Sequence, residues 1–330
     1  MNKKKIINDP IYGFITIPHD ILFDCIELPE FQRLRRIKQL GLTHYVYPGA
    51  LHTRFHHALG AMHLMKIALE SLQSKGVSIS VEEEKAVLLA ILLHDIGHGP
   101  FSHTLENSIF IGVTHEHLSS RLMQIINEKM NGQLDLAIEI FENRYSRQFF
   151  HQLVSSQLDM DRLDYLRRDS FYTGVSEGMV GIERLIQMLN VKNDELIIDQ
   201  KGIYSVEKFL MARRFMYWQV YLHKASLAAD RMLLNILRRA KEISQNGQKI
   251  FASPFLEYFL KNSFKQDDIT QQEVIDNFCL LDDNDIVSAI KVWTKCNDQI
   301  LSTLCKMLIN RNLFKISIHN RPIEESEFKL

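Results

Sequence analysis

Residues 86–93 are a run of apolar side chains, Ala86-Val87-Leu88-Leu89-Ala90-Ile91-Leu92-Leu93, that leads directly into His94-Asp95. Ser80 followed by Glu83 makes a capping box just upstream, and Gly97, Gly99 and Pro100 break the chain just downstream. A helix between those signals is apolar almost all round, so it has no face to offer water and belongs at the centre of the molecule. Other helices must surround it, and the helical period elsewhere supplies them. Residues 53–73 carry Ala61, Leu64, Met65, Ala68 and Leu72 at three- and four-residue steps. Pro29 and Gly41 bound a helix over 30–40, and further helices are expected over 151–168 and 206–240. Strands are scarce: 195–198 and 203–204 suggest one small hairpin around Lys201-Gly202. The expectation is an all-α fold with at most that hairpin: a main unit over 1–245, a linker near 244–253, and a C-terminal helical extension over 246–330.

With 330 residues, 46% of them hydrophobic, the chain can bury a sizeable core. Its formal net charge of −1 argues against bulk attraction to nucleic acid or to membrane surfaces, which demand a broad basic patch. The basic start at Lys3, Lys4 and Lys5 is not followed by an apolar stretch of signal length, and no window is long enough to span a bilayer. Cys25, Cys279, Cys296 and Cys305 lack paired spacing and read as reduced thiols, which points to a cytoplasmic protein.

Histidine is concentrated: ten of fourteen fall between His44 and His117. On the second helical stripe His57 lies four residues before Ala61 and shares its buried face, whereas His56 and His63 lie off it. His94 and Asp95 end the apolar run. Asp161 continues the stripe Val154, Leu158 and Tyr165. A buried aspartate is costly unless it is paired or binds a cation. His57, His94, Asp95 and Asp161 therefore suit one divalent ion, Mn²⁺, Fe²⁺, Mg²⁺ or Zn²⁺, with a buried His–Asp hydrogen-bond network as the alternative. Arg54 sits one turn before His57, Arg162 adjoins Asp161, and Arg213 opens a basic and aromatic segment with Tyr217, Tyr221, His223 and Lys224. Such cations can grip phosphate, although an arginine is more often a surface ion-pair partner.

Three ordered runs, Arg54-Phe55-His56-His57, then His94-Asp95-Ile96-Gly97-His98-Gly99-Pro100-Phe101-Ser102-His103, then Asp161-Arg162-Leu163-Asp164-Tyr165, resemble the HD-domain phosphohydrolase superfamily. Within it the chain is similar to the deoxynucleoside triphosphate triphosphohydrolases, over about residues 5–240, including the Gln39-Leu40-Gly41 and Tyr45-Val46-Tyr47-Pro48-Gly49-Ala50 segments. The resemblance implies an HD-domain helical bundle as the catalytic unit. It implies release of a deoxynucleoside and intact triphosphate by attack at the α-phosphorus, with one metal ion per site and a second Mg²⁺ travelling with the nucleotide. It implies that His115 donates a proton to the leaving oxygen, that His98 and His103 line the phosphate site, and that Glu116 or Asp159 orients a histidine. Arg54, Arg162 and Arg213 would hold the triphosphate. Tyr165 and Asp169 would hold the sugar with Gln39 at the 3′-hydroxyl, Leu40 and Tyr221 would crowd the 2′ position, and Tyr217 stands on the same substrate segment. An activating nucleotide at Lys5, Asn8, Glu27, Gln32 and Arg35, and a homo-oligomer, are further implied. The chain departs from the family pattern at Arg162 and Tyr217, where members carry lysine and histidine, and at Glu106 and Glu27, where members carry aspartate. Other readings are an HD enzyme acting on a different nucleotide or on single-stranded nucleic acid, and a nucleotide sensor without turnover.

Overall fold

The computed structural model describes residues 5–101, 110–318 and 321. An antiparallel hairpin, β1 (Lys5–Asp9) and β2 (Gly13–Ile17), precedes α1 (Asp20–Glu27) and α2 (Pro29–Gln32). The centre is built from α3 (Arg54–Ser74) and α4 (Val81–Leu93). Around them lie β3 (Phe110–Ile111), α5 (His115–Lys129), α6 (Asp135–Phe141), α7 (Gln148–Val154) and α8 (Met160–Thr173). The chain continues through α9 (Ile182–Met188), the hairpin β4 (Leu189–Lys192) and β5 (Glu195–Ile198), α10 (Ile203–Met216), a π turn (Tyr217–Tyr221) and α11 (Lys224–Gln245). The last part holds α12 (Pro254–Lys261), β6 (Phe264–Lys265), α13 (Gln272–Leu280), α14 (Asp283–Trp293) and α15 (Gln299–Ile309). The architecture is all-α with short strand pairs at its margins.

Helix α4 is central, as its composition requires: every residue from Ala86 to Leu93 is buried. Each of its leucines stabilises the fold by roughly 1.5–3 kcal/mol through removal from water. The Ser80–Glu83 capping box is present, with Ser80 N–H donating to Glu83 Oε2 at 2.8 Å. Among the described residues no helix is long and apolar enough to cross a membrane. All four cysteines are free, and burial pushes the Cys25 and Cys305 thiols up to about 12.

Several boundaries differ from expectation, each for a tertiary reason. The helix expected over 30–40 ends at Gln32 and gives way to a tight turn (Arg33–Arg36). Arg33 is drawn fully into the core, where its guanidinium donates to the carbonyls of Ile96 and His98 at 3.2 and 2.8 Å. The helix expected over 151–168 is two helices, because Asp159 caps a new one by accepting from Arg162 N–H at 2.7 Å. The helix expected over 206–240 is likewise interrupted, by the π turn and by His223, which caps α11. The hairpin pairs 189–192 with 195–198 about Asn193-Asp194, both left-handed at φ of 55° and 58°, and Ile203 and Tyr204 instead open α10. The last helices pack back onto the main unit: Arg239 on α11 meets Asp298 at 2.6 Å, and β6 pairs in parallel with β3.

Candidate metal centre and substrate cavity

Three helices bring the expected ligands together. At the start of α3, the His56 ring joins Thr53 in a capping box, which occupies it away from the site. His57, one residue on, is fully buried. Its Nδ1–H donates to Asp164 at 2.8 Å, so its Nε2 faces the end of α4. His94 donates from Nδ1 to the Ile91 carbonyl at 2.6 Å, which leaves its Nε2 facing His57 Nε2 at 3.4 Å. Asp161, in the first turn of α8, puts Oδ1 at 3.1 Å from His57 Nε2 and 3.5 Å from His94 Nε2. Asp95 adjoins the group, with Oδ1 at 3.4 Å from His94 Nε2 and Oδ2 at 3.8 Å from His57 Nε2. Ligand bonds of about 2.0–2.2 Å to one ion separate neighbouring donors by about 3–3.5 Å. His57, His94 and Asp161 thus have the spacing for a single divalent ion, and Asp95 stands at its edge, shared with a second group of side chains.

The electrostatics agree with that fit. Burial opposes charging of His57, yet its hydrogen bonds to Asp161 and Asp164 push the imidazole up to about 10. Against the raising effect of its own burial, Asp161 is held well below the ordinary carboxylate range by the two imidazoles. Both shifts state one demand: positive charge among these donors.

Behind His57 lies a network that the sequence reading did not assign. Asp164 accepts from Arg168 at 2.9 and 3.0 Å, and Arg168 donates onward to Asp9 of β1 at 2.8 Å. All are buried. The carboxylate of Asp164 is depressed to about 2, with Arg168 and His57 overcoming burial. The arrangement holds the His57 ring and its tautomer in place. Gly60 admits it, because a Cβ there would lie 2.0 Å from Asp164 Oδ1. Asp164 and Arg168 stand four residues apart on one helix face, a signal that could have revealed them; nothing local marks Asp9.

A second group adjoins the first: ligand atoms of Asp95, His98 and His115 lie within 4.8 Å of one another. The His98 and His115 rings stack at 3.8 Å, His98 Nδ1 is 3.3 Å from Asp95 Oδ1, and His115 Nε2 is 3.2 Å from Glu116. Burial, followed by the Arg54 charge, brings His98 down to about 3. Of the two acids expected to orient a histidine, Glu116 is beside one. Asp159 instead accepts from the Ser156 and Arg162 amides and pairs with the Arg162 side chain, because it serves as the cap of α8. Burial and the nearby Asp161 raise it to about 7. His103 and Glu106 lie outside the described residues.

A cavity of about 470 Å³ opens beside Asp161. Its walls include Gln39, Leu40, Arg54, Arg162, Tyr165, Asp169, Arg213, Tyr217 and Tyr221, the residues expected to hold the triphosphate and sugar, whereas His98 and His115, expected at the phosphate and the leaving oxygen, are not among its lining residues. Arg54 pairs with Asp95, Arg162 with Asp159, and Arg213 donates to the neutral Gln157 amide at 3.1 Å. Tyr221 donates to Asp169 at 2.8 Å, and its ring meets Tyr217 and Tyr165 edge-on. The other Asp169 oxygen lies 2.8 Å from His52 Nε2, and His52 in turn stacks on Tyr172 at 4.5 Å. His52, Thr43, Phe101 and Asp230 are additions to the expected set: His52 buttresses Asp169, and the other three line the wall. His52 sat within the histidine cluster but had no pattern to single it out.

The five residues expected to bind an activating nucleotide lie outside this cavity. Arg35 donates to Gln32 at 2.8 Å and covers Phe55, Lys5 stands 3.1 Å over Phe23, and Asn8 and Glu27 are exposed.

This fold and donor set are those of an HD-domain phosphohydrolase, and the chain belongs to that family. The HD domain model matches residues 54–168, and the HD associated region model matches 180–258. A crystal structure of a phosphohydrolase from Bacteroides thetaiotaomicron is similar over 99% of this chain and 81% of that one, with 56% identity and a TM-score of 0.96. The uncharacterized protein YwfO of Bacillus subtilis is 34% identical over 98% of this chain and 74% of its own length. Human deoxynucleoside triphosphate triphosphohydrolase SAMHD1 is 29% identical over 72% of this chain, which spans 45% of the human protein. Resemblance to the SAMHD1 core and the family match together place the chain among metal-dependent hydrolases.

Proposed function

We propose that the protein hydrolyses deoxynucleoside triphosphates at the α-phosphorus, releasing a deoxynucleoside and inorganic triphosphate. The observation that carries this reading is the single cavity in which three arginines and the sugar-sized group of Gln39, Leu40, Tyr165, Asp169 and Tyr221 border Asp161. His57, His94, Asp95 and Asp161 would hold the divalent ion, which when bound supplies Lewis acidity to water and to a phosphate oxygen. Arg54, Arg162 and Arg213 neutralise and orient the phosphate chain, work that phosphoryl chemistry leaves largely to fixed charges. His115 gives its proton to the leaving sugar oxygen while Glu116 supports its ring and His98 packs against it. Asp169 is held from both sides by Tyr221 and His52, which suits an acceptor for a sugar hydroxyl. The Tyr221 ring, fixed by that bond, and Leu40 would crowd the 2′ position of the bound sugar.

The same reading extends to an activating nucleotide near Gln32 and Arg35 and to a homo-oligomer. The exposed Tyr204, Met211 and Trp218, seven residues apart along the α10 segment, support self-association. Incubating the protein with each dNTP and Mn²⁺ and separating the products tests the main proposal. Triphosphate with deoxynucleoside supports it; pyrophosphate or phosphate points to a different HD hydrolase, and no turnover points to a sensor.

A further inference from the structure

We propose that Asp283, at the start of α14 in the C-terminal helical part, is a positioning residue that locks together the two backbone segments bordering the active-site cavity. The kinetic consequence rests on reading that cavity as the active site; the structural one does not. Asp283 is 3% exposed. One carboxylate oxygen accepts from Phe101 N–H at 3.1 Å and the other from Lys38 N–H at 3.0 Å. Those two amides belong to different walls.

Phe101 lines the cavity and closes the turn that begins at His94-Asp95. Its φ of 51° is left-handed, a strained conformation for a bulky side chain that persists only when its surroundings enforce it. Lys38 immediately precedes Gln39, Leu40 and Gly41, all of which line the cavity. That strand-like segment is stitched to the start of α3: Gln39 N–H donates to His52 O and Arg54 N–H to Ile37 O, each at 3.0 Å. A single carboxylate thus ties the turn that carries His94 and Asp95 to the segment that borders Arg54 and the sugar-sized pocket. Phe278, on the preceding helix, reinforces the same joint by placing its ring 4.5 Å from the Arg33 guanidinium that holds the Ile96 and His98 carbonyls.

Two N–H donors at two oxygens require an acceptor at both positions. Asparagine keeps the volume but must turn its NH₂ group toward one of the amides. Asp282, the residue just before it, provides the contrast. It caps α14 through Asn284 N–H at 2.8 Å and pairs with the half-exposed Arg36, and these bonds touch neither Phe101 nor Lys38.

The test compares Asp283→Asn and Asp283→Ala with Asp282→Ala, matched by unfolding midpoint, in the full chain. Amide hydrogen exchange of segments 38–41 and 96–101 is read without added metal or substrate, alongside Mn²⁺ binding and dNTP turnover. Leaving one buried amide unpaired predicts about ten-fold faster exchange in both segments for Asp283→Asn, with kcat/KM reduced by about ten-fold or more. Mn²⁺ binding weakens in the same variant, whereas Asp282→Ala changes exchange only within α14 and at the Arg36 turn it pairs with. Equal exchange in the two segments for the Asp283 and Asp282 variants overturns the proposal. If the wild-type protein turns over no dNTP, the functional reading falls, and exchange with Mn²⁺ binding still decides the role of Asp283.

Discussion

The two nitrogens of His57 face opposite kinds of polar structure. Behind Nδ1, charges close on one another: Asp164 with Arg168, and Arg168 with Asp9, all buried. In front of Nε2, partly paired charges border open space. His94, Asp95 and Asp161 point inward, and Arg54, Arg162 and Arg213 border a cavity large enough for a nucleotide. The rear network therefore orients, and the front group is open to a cation and an anion. Removing a charge from the rear should cost folding free energy, whereas removing one from the front should cost chemistry.

The sharpest test of that contrast is Asp161→Asn. It should reduce dNTP turnover by about three orders of magnitude or more, because the activated water is lost with the ion. The unfolding midpoint of the metal-free protein should fall by less than in Asp164→Ala, because the partly exposed Asp161 gives up only its contacts with the two imidazoles; an equal or larger fall would assign Asp161 to the rear network's class. Next in size is Asp164→Ala, which strands Arg168 and His57 without their shared carboxylate. Breaking a buried ion pair costs about 3–5 kcal/mol, read by denaturant titration. Loss of the ring's support should weaken Mn²⁺ binding by about 10–100-fold. Arg213→Ala comes third. Among the described residues its guanidinium hydrogen-bonds the neutral Gln157 amide and stands 5.8 Å from the Tyr217 ring, with no carboxylate partner, so stability should hold within about 0.5 kcal/mol. The KM for dNTP should rise by about ten-fold or more, the scale of one charged hydrogen bond.

Glu83→Gln supplies a blank that touches neither side of His57. Burial tends to raise the Glu83 carboxyl, but the Ser80 amide, Arg147 and Tyr145 win and hold it below the ordinary glutamate value. An acid depressed on folding contributes stability that is present above its unfolded pKa and lost as pH falls through the folded one. The stability gap between wild type and Glu83→Gln should therefore shrink as pH is lowered from 7 to below that range, with kcat unchanged at neutral pH. A gap that widens in acid would reverse the assignment.

What could be read from the chain was whatever local chemistry decides. The apolar run of α4 and its Ser80–Glu83 cap are local, and the His57 face follows from helical spacing alone. Asp161 reached the centre by a different route from the one its spacing suggested, since the expected stripe crosses a real break at Asp159. Partners far apart in sequence left no trace: Asp9 behind Arg168, and Asp283 between Lys38 and Phe101. The 30–40 helix failed for the same reason, because Arg33 is committed to carbonyls on the other side of the core. Propensity yields to such bonds where they are buried.

Pulsed electron paramagnetic resonance of the Mn²⁺-loaded protein tests the central claim most directly. The account predicts one ion per chain with nitrogen couplings from two imidazoles, and one of these vanishes in His57→Gln. An ion with no imidazole coupling, or couplings that survive the loss of His57, would contradict it.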